Sequence, residues 1–396
     1  MQTTWVPGAD ASGYGADNLP YGVFAPPGSP PRVGVRVGEW VLDLAGALGD
    51  PAFDAPTLSP FMARGSTAWR ATRAKVSGML GAEKGRAAAE PHLVPLSRVE
   101  LLQPFDVADY VVFQGAAEHA ACEYSLLRPG AALPEAWYLQ PAGRHGRAGA
   151  VAVSGTGIRR PVGQLAAPGE DPVLGCSEWV DVEAQLGFVV GVPTSPGRTV
   201  PVGDFAEHVF GVVLVQDWSA RDIEEWESAP LGPLAGASFA ASVSPWVVPT
   251  DALGAARFSG REQAPEPMAH LRRAADWGLR IGLEFAVNGG IVSRPPGALL
   301  YWTPDQLLAH LTGNGAALRT GDLFTSGAVS GGEPGEGGSL LELTAGGKEP
   351  LRLADGSVRS SIADGDRVDV GAWARGMGGG LIRLGEVGAP LRPAAG

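Results

Sequence analysis

Residues 181–190 read DVEAQLGFVV, and polar and apolar side chains alternate over the first six positions. Asp181, Glu183 and Gln185 are the polar members, and an apolar residue follows each of them. Because successive side chains of a strand point to opposite faces, the pattern predicts a β-strand with these three groups on one face. Two carboxylates and an amide on one face are typical of a hard-cation site, of the remnant of one, or of the solvent side of a sheet.

Apolar runs with strand-like spacing recur along the chain and predict a mainly β protein with some α-helix. They are YGVFA (21–25), VGVRVGEWVLDL (33–44), AVAVSG (150–155), HVFGVVLVQDW (208–218), GLRIGLEFAVNG (278–289), SLLELTAGG (339–347) and DRVDVGAW (366–373). Two stretches have helical character instead: an Ala- and Arg-rich one near 60–89, and TPDQLLAHLTGN (303–314), which places a Thr cap before a Pro. A loop-like pattern at 95–105 marks a boundary, so we predict domains at 1–105 and 106–396.

The composition excludes several classes of function. The net charge of −12 has the wrong sign for a surface that binds nucleic-acid phosphates. Cys122 and Cys176 are the only cysteines, too few for a disulfide framework or a zinc-finger spacing. The segment MQTTWVPGAD has no signal-peptide pattern, and no apolar run reaches membrane-spanning length. We therefore expect a cytoplasmic protein that acts on a small molecule and has no nucleic-acid or membrane partner.

The densest polar cluster is QDWSARDIEEWE (216–227), which follows an apolar strand. Asp217, Arg221 and Glu224 recur three or four residues apart, a spacing that places side chains on one face of a helix. Composition alone favours a solvated helix with internal ion pairs. The next segment, GASFAASVSPWVVP (236–249), carries glycine and serine in place of surface charge, which favours the wall of a pocket.

The residues QDWSARDIEEWESAPLGPLAGASFAASVSPWVVP (216–249) resemble the signature segment of the fumarylacetoacetate hydrolase family. Further matches are NLPYGVF (18–24), GRHGRAGAVAVSGTGIRRPVGQ (143–164), EHVFGVVLVQDWSARD (207–222) and LRTGDLFTSGAVSG (318–331). The resemblance extends from near residue 18 to near residue 392, so the chain is identified as a member of this family.

The resemblance implies a small N-terminal SH3-like β domain, a larger C-terminal mixed β-roll that holds the active site, and a homodimer. It also implies hydrolysis of a carbon–carbon bond in a 1,3-dicarbonyl acid. In the family, a His–Glu pair activates water, and a divalent cation held by four carboxylates polarises the dicarbonyl group. Arg, Lys and Gln side chains bind the developing oxyanion.

The four implied metal positions are only half preserved in this sequence. Glu183 and Asp217 match two of the carboxylates, whereas Val112 and Gln185 stand at the other two. A hard cation takes six or more oxygen ligands and is held largely by their charge. We therefore expect no tightly bound cofactor, and at most weak binding of Ca²⁺ or Mg²⁺.

The implied catalytic and substrate-binding positions are preserved unevenly. His119, in DYVVFQGAAEHA (109–120), matches the catalytic histidine. Arg221 matches the oxyanion-binding arginine, and Arg147 the one that binds the substrate carboxylate through two hydrogen bonds. At the remaining positions the residues that the resemblance implies are replaced. Gln is replaced by Glu224, Tyr by Gln114 and Ser228, Lys by Ala237, and Thr by Ala241 and Ala328.

The acidic partner of the histidine is the largest expected departure. In ADGDRV (363–368), Arg367 occupies the position that the resemblance assigns to a Glu which orients His119. A cation beside an imidazole disfavours its protonated form, so we expect the family's water-activating pair not to work. Glu118 is a candidate replacement, although neighbours on an extended chain point apart.

Three functional hypotheses follow from this pattern. The first is a divergent, metal-independent enzyme that acts on a β-dicarbonyl or polyketide-like acid by proton transfer: cyclisation, dehydration, decarboxylation or isomerisation. Its acid/base candidates are His119 with Glu224 or Glu118, and Arg221 and Arg147 would anchor the substrate. The second is the family's ordinary carbon–carbon bond hydrolysis, and the third is a catalytically inactive binding or assembly subunit. We favour the first.

Overall fold

The N-terminal strands of the protein extend the central sheet of the C-terminal region in the computed structural model, which describes residues 3–166, 169–228 and 232–395. The N-terminal strands are β1 (Tyr21–Ala25), β2 (Arg32–Val37), β3 (Trp40–Asp43), β4 (Leu93–Pro95) and β5 (Glu100–Leu102). The N-terminal helices are α1 (Ala9–Ser12), α2 (Leu44–Leu48), α3 (Ser59–Met62), α4 (Ser66–Gly81) and α5 (Glu83–Ala89).

The C-terminal region is larger and contains most of the strands. They are β6 (Tyr110–Phe113), β7 (Gly143–His145), β8 (Val151–Val153), β9 (Ile158–Arg159), β10 (Val162–Leu165), β11 (Val173–Cys176), β12 (Val180–Val190), β13 (Val209–Ala220), β14 (Ala240–Val243), β15 (Trp246–Pro249), β16 (Arg257–Phe258), β17 (Gly278–Leu279), β18 (Ile281–Val287), β19 (Gly290–Ser293), β20 (Leu323–Ala328), β21 (Leu351–Arg352), β22 (Val358–Arg359), β23 (Arg367–Arg375) and β24 (Leu381–Arg392). The helices are α6 (Ala117–Leu127), α7 (Glu135–Leu139), α8 (Phe205–His208), α9 (Arg221–Glu227), α10 (Pro304–Leu311) and α11 (Leu340–Leu343).

The main sheet runs in the order β4-β3-β2-β1-β15-β13-β12-β20-β6-β7, with most neighbours antiparallel and β20–β6 parallel. A second sheet, β19-β18-β23-β24-β9, is linked to it by core packing. This is the predicted fold class, a small N-terminal β domain followed by a larger mixed one. No helix among the described residues has the length and apolarity needed to cross a membrane.

Strands β12 and β13 lie at the centre and explain the alternation at 181–190. Every residue of β12 is buried, so the polar face is not the solvent side of the sheet. Val182, Ala184 and Leu186 pack into the main hydrophobic core. The opposite face carries Asp181 and Glu183. Both carboxylates are buried, and both pair with the guanidinium of Arg221 instead of with water.

One predicted strand is wrong, and its replacement matters for the site. Residues 340–343 of SLLELTAGG form α11, a short helix, because Ser339 caps it. The Ser339 hydroxyl accepts from the Glu342 backbone N–H, and the Glu342 carboxylate accepts from the Ser339 N–H at 3.1 Å. This reciprocal Ser-x-x-Glu arrangement is a capping box, and it outweighs the β-like run of apolar residues that follows. A smaller difference is at 95–105, where strand β5 pairs with β1 instead of forming only a loop.

Candidate active site

The register between β12 and β13 brings the two preserved metal-type carboxylates together. Glu183 lies directly opposite Asp217, and both are buried. On the far side of β13, Asp217 is paired with Ala241 of β14, and on the far side of β12, Gln185 is paired with Ala328 of β20. Five of the positions named from the sequence are therefore neighbours in one sheet.

His119 lies in the first turn of α6 and is 2% exposed. Its Nδ1 is 3.0 Å from Glu342 Oε2, and its Nε2 is 3.6 Å from Glu183 Oε1. Burial by itself would lower the pKa of His119, but the charges of Glu342 and Glu183 outweigh burial and raise the pKa to about 10. Reciprocally, the pKa of Glu183 is lowered to about 2 despite its burial, because His119 and Arg221 face it. These charges therefore favour the protonated imidazole at neutral pH.

We expect one of the six histidines to remain an imidazolium through pH 8 in ¹⁵N NMR spectra of histidine-labelled protein, and to lose its proton near pH 10. The folded-state pKa exceeds the ordinary 6.5, so this interaction stabilises the fold fully below pH 6.5 and is lost as the pH rises toward 10. In Glu342→Gln the same resonance should titrate at lower pH, because the contact to Nδ1 no longer carries charge. Titration of every histidine in the ordinary range of about 6–7 would contradict this expectation.

Arg221 begins α9, at the end of β13, and its guanidinium collects four carboxylates. Nε and Nη2 donate to Asp181 Oδ2 at 3.0 and 2.8 Å, and Nη2 also donates to Glu183 Oε1 at 2.8 Å. Nη1 donates to Glu123 Oε1 at 2.8 Å and to Glu224 Oε2 at 3.0 Å. A guanidinium has five N–H donors, so Arg221 has a carboxylate acceptor for each. Its main effect is to hold the acidic groups together.

Arg144, on β7, supplies a second cation to the site. Its Nη2 is 2.7 Å from Asp217 Oδ2, and its Nη1 donates to the backbone oxygen of Ala237 at 2.5 Å. The other oxygen of Asp217 accepts from the hydroxyl of Tyr110 at 3.2 Å. Burial raises the pKa of Asp217 to about 7, although Arg144 opposes this shift.

The implied metal positions do not fit a hard dication. Val112 is buried on β6 and has no donor atom. The Nε2 of Gln185 donates to Glu183 Oε2 at 2.8 Å, and Arg144 is paired with Asp217, so both carboxylates already have partners with positive or donor character. Gln185 Oε1 finds no donor among the described residues, but one neutral oxygen does not replace two carboxylates. A different trio, His119, Glu123 and Glu183, places ligand-type atoms within 4.8 Å of one another, yet Arg221 binds both of its carboxylates.

The other residues named from the sequence are placed less centrally. Gln114 donates to Glu123, and Glu224 borders the site through Arg221. Glu118 pairs with Arg261 at 2.7 Å, because its helical position directs it away from its neighbour His119. The rest lie at the edge: the Ser228 hydroxyl donates to the Glu225 carbonyl at the exposed end of α9, and Arg147 is exposed, with no side-chain partner within the described ranges.

The expected position of Arg367 beside His119 is wrong. Arg367 begins β23, is half exposed, and pairs with Asp369 two residues along the same strand at 2.7 Å. The group against the imidazole Nδ1 is Glu342. The error arose because ADGDRV was matched to the acidic motif, while the acid that reaches His119 lies on α11, about 25 residues earlier. The histidine therefore has an acidic partner after all.

Three charged residues of the site were missed by sequence reasoning. Glu342 was detectable as the last residue of the Ser-x-x-Glu capping pattern at 339–342. Glu123 follows His119 by four residues in α6, and that spacing places two side chains on the same helix face. Arg144 had no comparable signal, since its role depends on a strand pairing that brings it beside residues far away in the chain.

The chain matches two family models along most of its length. Residues 17–104 match Fumarylacetoacetase N-terminal, and residues 110–389 match Fumarylacetoacetate (FAA) hydrolase C-terminal. The chain is 37% identical over 400 residues to the fumarylacetoacetase of Bos taurus, covering 95% of each chain. It is 38% identical over 399 residues to the fumarylacetoacetase of Oryza sativa subsp. japonica, covering 93% of this chain and 92% of that one.

Solved structures share the fold at lower sequence identity. A fumarylacetoacetate hydrolase from psychrophilic Exiguobacterium antarcticum superposes with a TM-score of 0.57 at 16% identity, over 95% of this chain and 99% of that one. A 5-carboxymethyl-2-hydroxymuconate delta-isomerase from Mycobacterium smegmatis gives a TM-score of 0.52 at 17% identity, over 95% and 100% of the two chains.

Proposed function

Because the chain belongs to the fumarylacetoacetate hydrolase family, we propose that it is an enzyme acting on a β-dicarbonyl or polyketide-like acid by proton transfer, without a resident divalent cation. The reaction class comprises cyclisation, dehydration, decarboxylation and isomerisation. We further propose that it works as a cytoplasmic homodimer on a small molecule alone. The net charge of −12 supports the absence of a nucleic-acid partner.

The observation that carries this proposal is the position of His119 between two buried carboxylates, with Nδ1 3.0 Å from Glu342 and Nε2 3.6 Å from Glu183. The charges of these two carboxylates raise the pKa of the imidazole to about 10, which favours its protonated form at neutral pH. The imidazolium form has a proton ready to donate, which suits a general acid.

The residues around His119 provide the other half of a proton-transfer reaction. Burial brings the pKa of Asp217 to about 7, so this carboxylate can accept a proton near neutral pH, and burial also raises the pKa of Glu224. In an isomerisation, such a base removes a proton next to a carbonyl group and His119 returns one to another atom of the same enolate. In a decarboxylation, carbon dioxide leaves and His119 protonates the enolate carbon.

Carbon–carbon bond hydrolysis is the second candidate, for two reasons. The relatives that cover nearly the whole chain are named fumarylacetoacetase. The pairing of His119 with Glu342 is also the arrangement that a water-activating base requires. This reaction needs the charge of Glu183 to be neutralised first, since that carboxylate helps to keep the imidazole protonated.

We expect chelator-treated protein to convert acyl-pyruvate or acetoacetate-type acids, with products followed by ¹H NMR. Isomerisation leaves one compound of unchanged mass, decarboxylation leaves a ketone, and hydrolysis leaves two acids. Conversion by proton transfer at an unchanged rate after chelation would support the proposal. Cleavage into two acids that starts only when Mg²⁺ or Ca²⁺ is added would overturn it in favour of ordinary hydrolysis, and no turnover of any compound under either condition would overturn both.

A further inference from the structure

We propose that the guanidinium of Arg144 takes the place of the divalent cation and binds the enolate oxygens of the substrate. This inference rests on the proposed function, because a reaction without a metal ion needs another positive group to stabilise the negative charge of the enolate. It concerns a residue for which neither the sequence motifs nor the family resemblance gave a role.

The first argument is the position of Arg144 in the sheet. Strands β6 and β7 are antiparallel, and their register places Arg144 directly opposite Val112. Val112 stands where the resemblance implies a metal-binding Asp. The position that lacks the implied negative charge and the positively charged Arg144 are therefore cross-strand neighbours, whose side chains lie on the same face of the sheet.

The second argument is the set of contacts that Arg144 makes. Nη2 lies 2.7 Å from Asp217, the preserved carboxylate at the fourth implied metal position. Nη1 donates to the carbonyl of Ala237, which stands where a substrate-binding Lys is implied. The guanidinium is thus fixed between a position implied to bind the cation and one implied to bind the substrate, and its positive charge also acts on Glu183 and Glu224.

The third argument is the number of donors that remain. Each N–H of Arg221 has a carboxylate acceptor, so that residue cannot bind a substrate oxygen without giving up an ion pair. Arg144 uses one N–H on each Nη, and its Nε–H and the second N–H of each Nη have no acceptor within the described residues. The side chain of Arg144 is 31% exposed. A planar fork of this kind matches two neighbouring oxygens of an enolised dicarbonyl acid.

The inference is tested first by ligand binding. Oxalate, a planar mimic of an enolised 2-keto acid, is titrated by calorimetry into chelator-treated wild type, Arg144→Gln and Arg144→Lys. Arg144→Gln should bind oxalate about tenfold or more weakly, because charge-assisted hydrogen bonds are lost, and Arg144→Lys should retain part of the affinity. The matched control is Arg272→Gln, which removes an exposed arginine paired with Glu266 and should bind as wild type does. Equal affinity of Arg144→Gln and wild type, or no oxalate binding by wild type, would overturn the inference.

A second test uses Mn²⁺ alone and does not depend on the substrate or on activity. The triple variant Val112→Asp, Gln185→Glu, Arg144→Gln restores the implied carboxylates and removes the guanidinium, so it should bind Mn²⁺ stoichiometrically by electron paramagnetic resonance. The double variant that keeps Arg144 should bind Mn²⁺ clearly more weakly. Equally tight binding by the double variant would overturn the inference, since Arg144 would then not occupy the cation's place.

The two proposals fail in different ways. If chelator-treated wild type turns over substrate while Arg144→Gln retains full oxalate affinity, the result supports the proposed function and contradicts the proposed role of Arg144. If wild type turns over substrate only with added dication, the metal-independent function falls and the role of Arg144 falls with it. Comparison of unfolding midpoints separates both results from a folding defect, and the charge-retaining Arg144→Lys serves as the replacement variant if Arg144→Gln does not fold.

Discussion

Replacement of His119 by Gln is expected to lower kcat by a factor of roughly 10² to 10⁴, the usual contribution of a general acid or base. Each ring nitrogen of His119 faces a carboxylate, Nδ1 facing Glu342 and Nε2 facing Glu183, and Gln has no titratable proton to deliver. The measurement is the rate with whichever dicarbonyl acid the wild type converts. His270→Gln is the control, because that histidine is exposed. A rate above about one tenth of wild type would show that another group donates the proton.

Glu342→Gln tests the same site through a residue that acts on His119 and not on the substrate. The variant keeps the shape of the side chain but removes the charge that raises the pKa of His119. We expect activity that depends on the imidazolium to decline at lower pH than in wild type, so the alkaline limb of the pH profile moves toward neutrality. A purely structural role would lower the rate at all pH values without moving that limb. In the hydrolytic alternative, where neutral imidazole is the base, the acid limb would move instead.

Replacement of Arg221 by Met is expected to destabilise the fold by about 3–5 kcal/mol, the usual loss when one partner of a buried ion pair is removed. The apolar side chain would leave the buried carboxylates of Asp181 and Glu183 without their main counter-charge. The measurement is the free energy of unfolding in urea. Arg272→Gln, at an exposed pair, should lose no more than about 1 kcal/mol.

A compensating variant separates charge from packing at Arg221. Combining Arg221→Met with Asp181→Asn and Glu183→Gln removes the uncompensated charges along with the guanidinium, and part of the lost stability should return. A loss below about 1 kcal/mol for Arg221→Met alone would mean that the carboxylates take up protons or water at little cost, contrary to the description of Arg221 as the centre of the acidic network.

The sequence was most informative where residues lie within one element or one continuous motif. The alternation at 181–190 predicted a strand with its polar groups on one face, and the strand was found there, buried on both sides. The Thr-Pro start at 303–304 correctly predicted α10. Family membership was confirmed because the quoted motifs extend over most of the chain.

The sequence led to a wrong prediction where two charged residues that are distant in the sequence contact each other in the folded protein. The ADGDRV motif predicts Arg367 in place of the acidic partner of His119, because local similarity carries no information on distance in space. The partner is Glu342, in a segment predicted to be a strand, whose capping box makes it a helix. This correction changes the chemistry, since the histidine is held by two carboxylates instead of facing a cation.

Sequence alone was sufficient for the family and the fold class, because the quoted motifs and the local periodicity carry both; the resemblance also implied that Val112 and Gln185 stand at two metal positions. Only the folded chain shows that Glu342 contacts His119, that Arg221 binds four carboxylates, and that Arg144 pairs with Asp217. Except for the contact between Arg221 and Glu224, each of these contacts joins residues that are 38 to 223 positions distant in the sequence. Electrostatic interaction depends on distance and burial in space, and the linear order of residues does not contain either quantity.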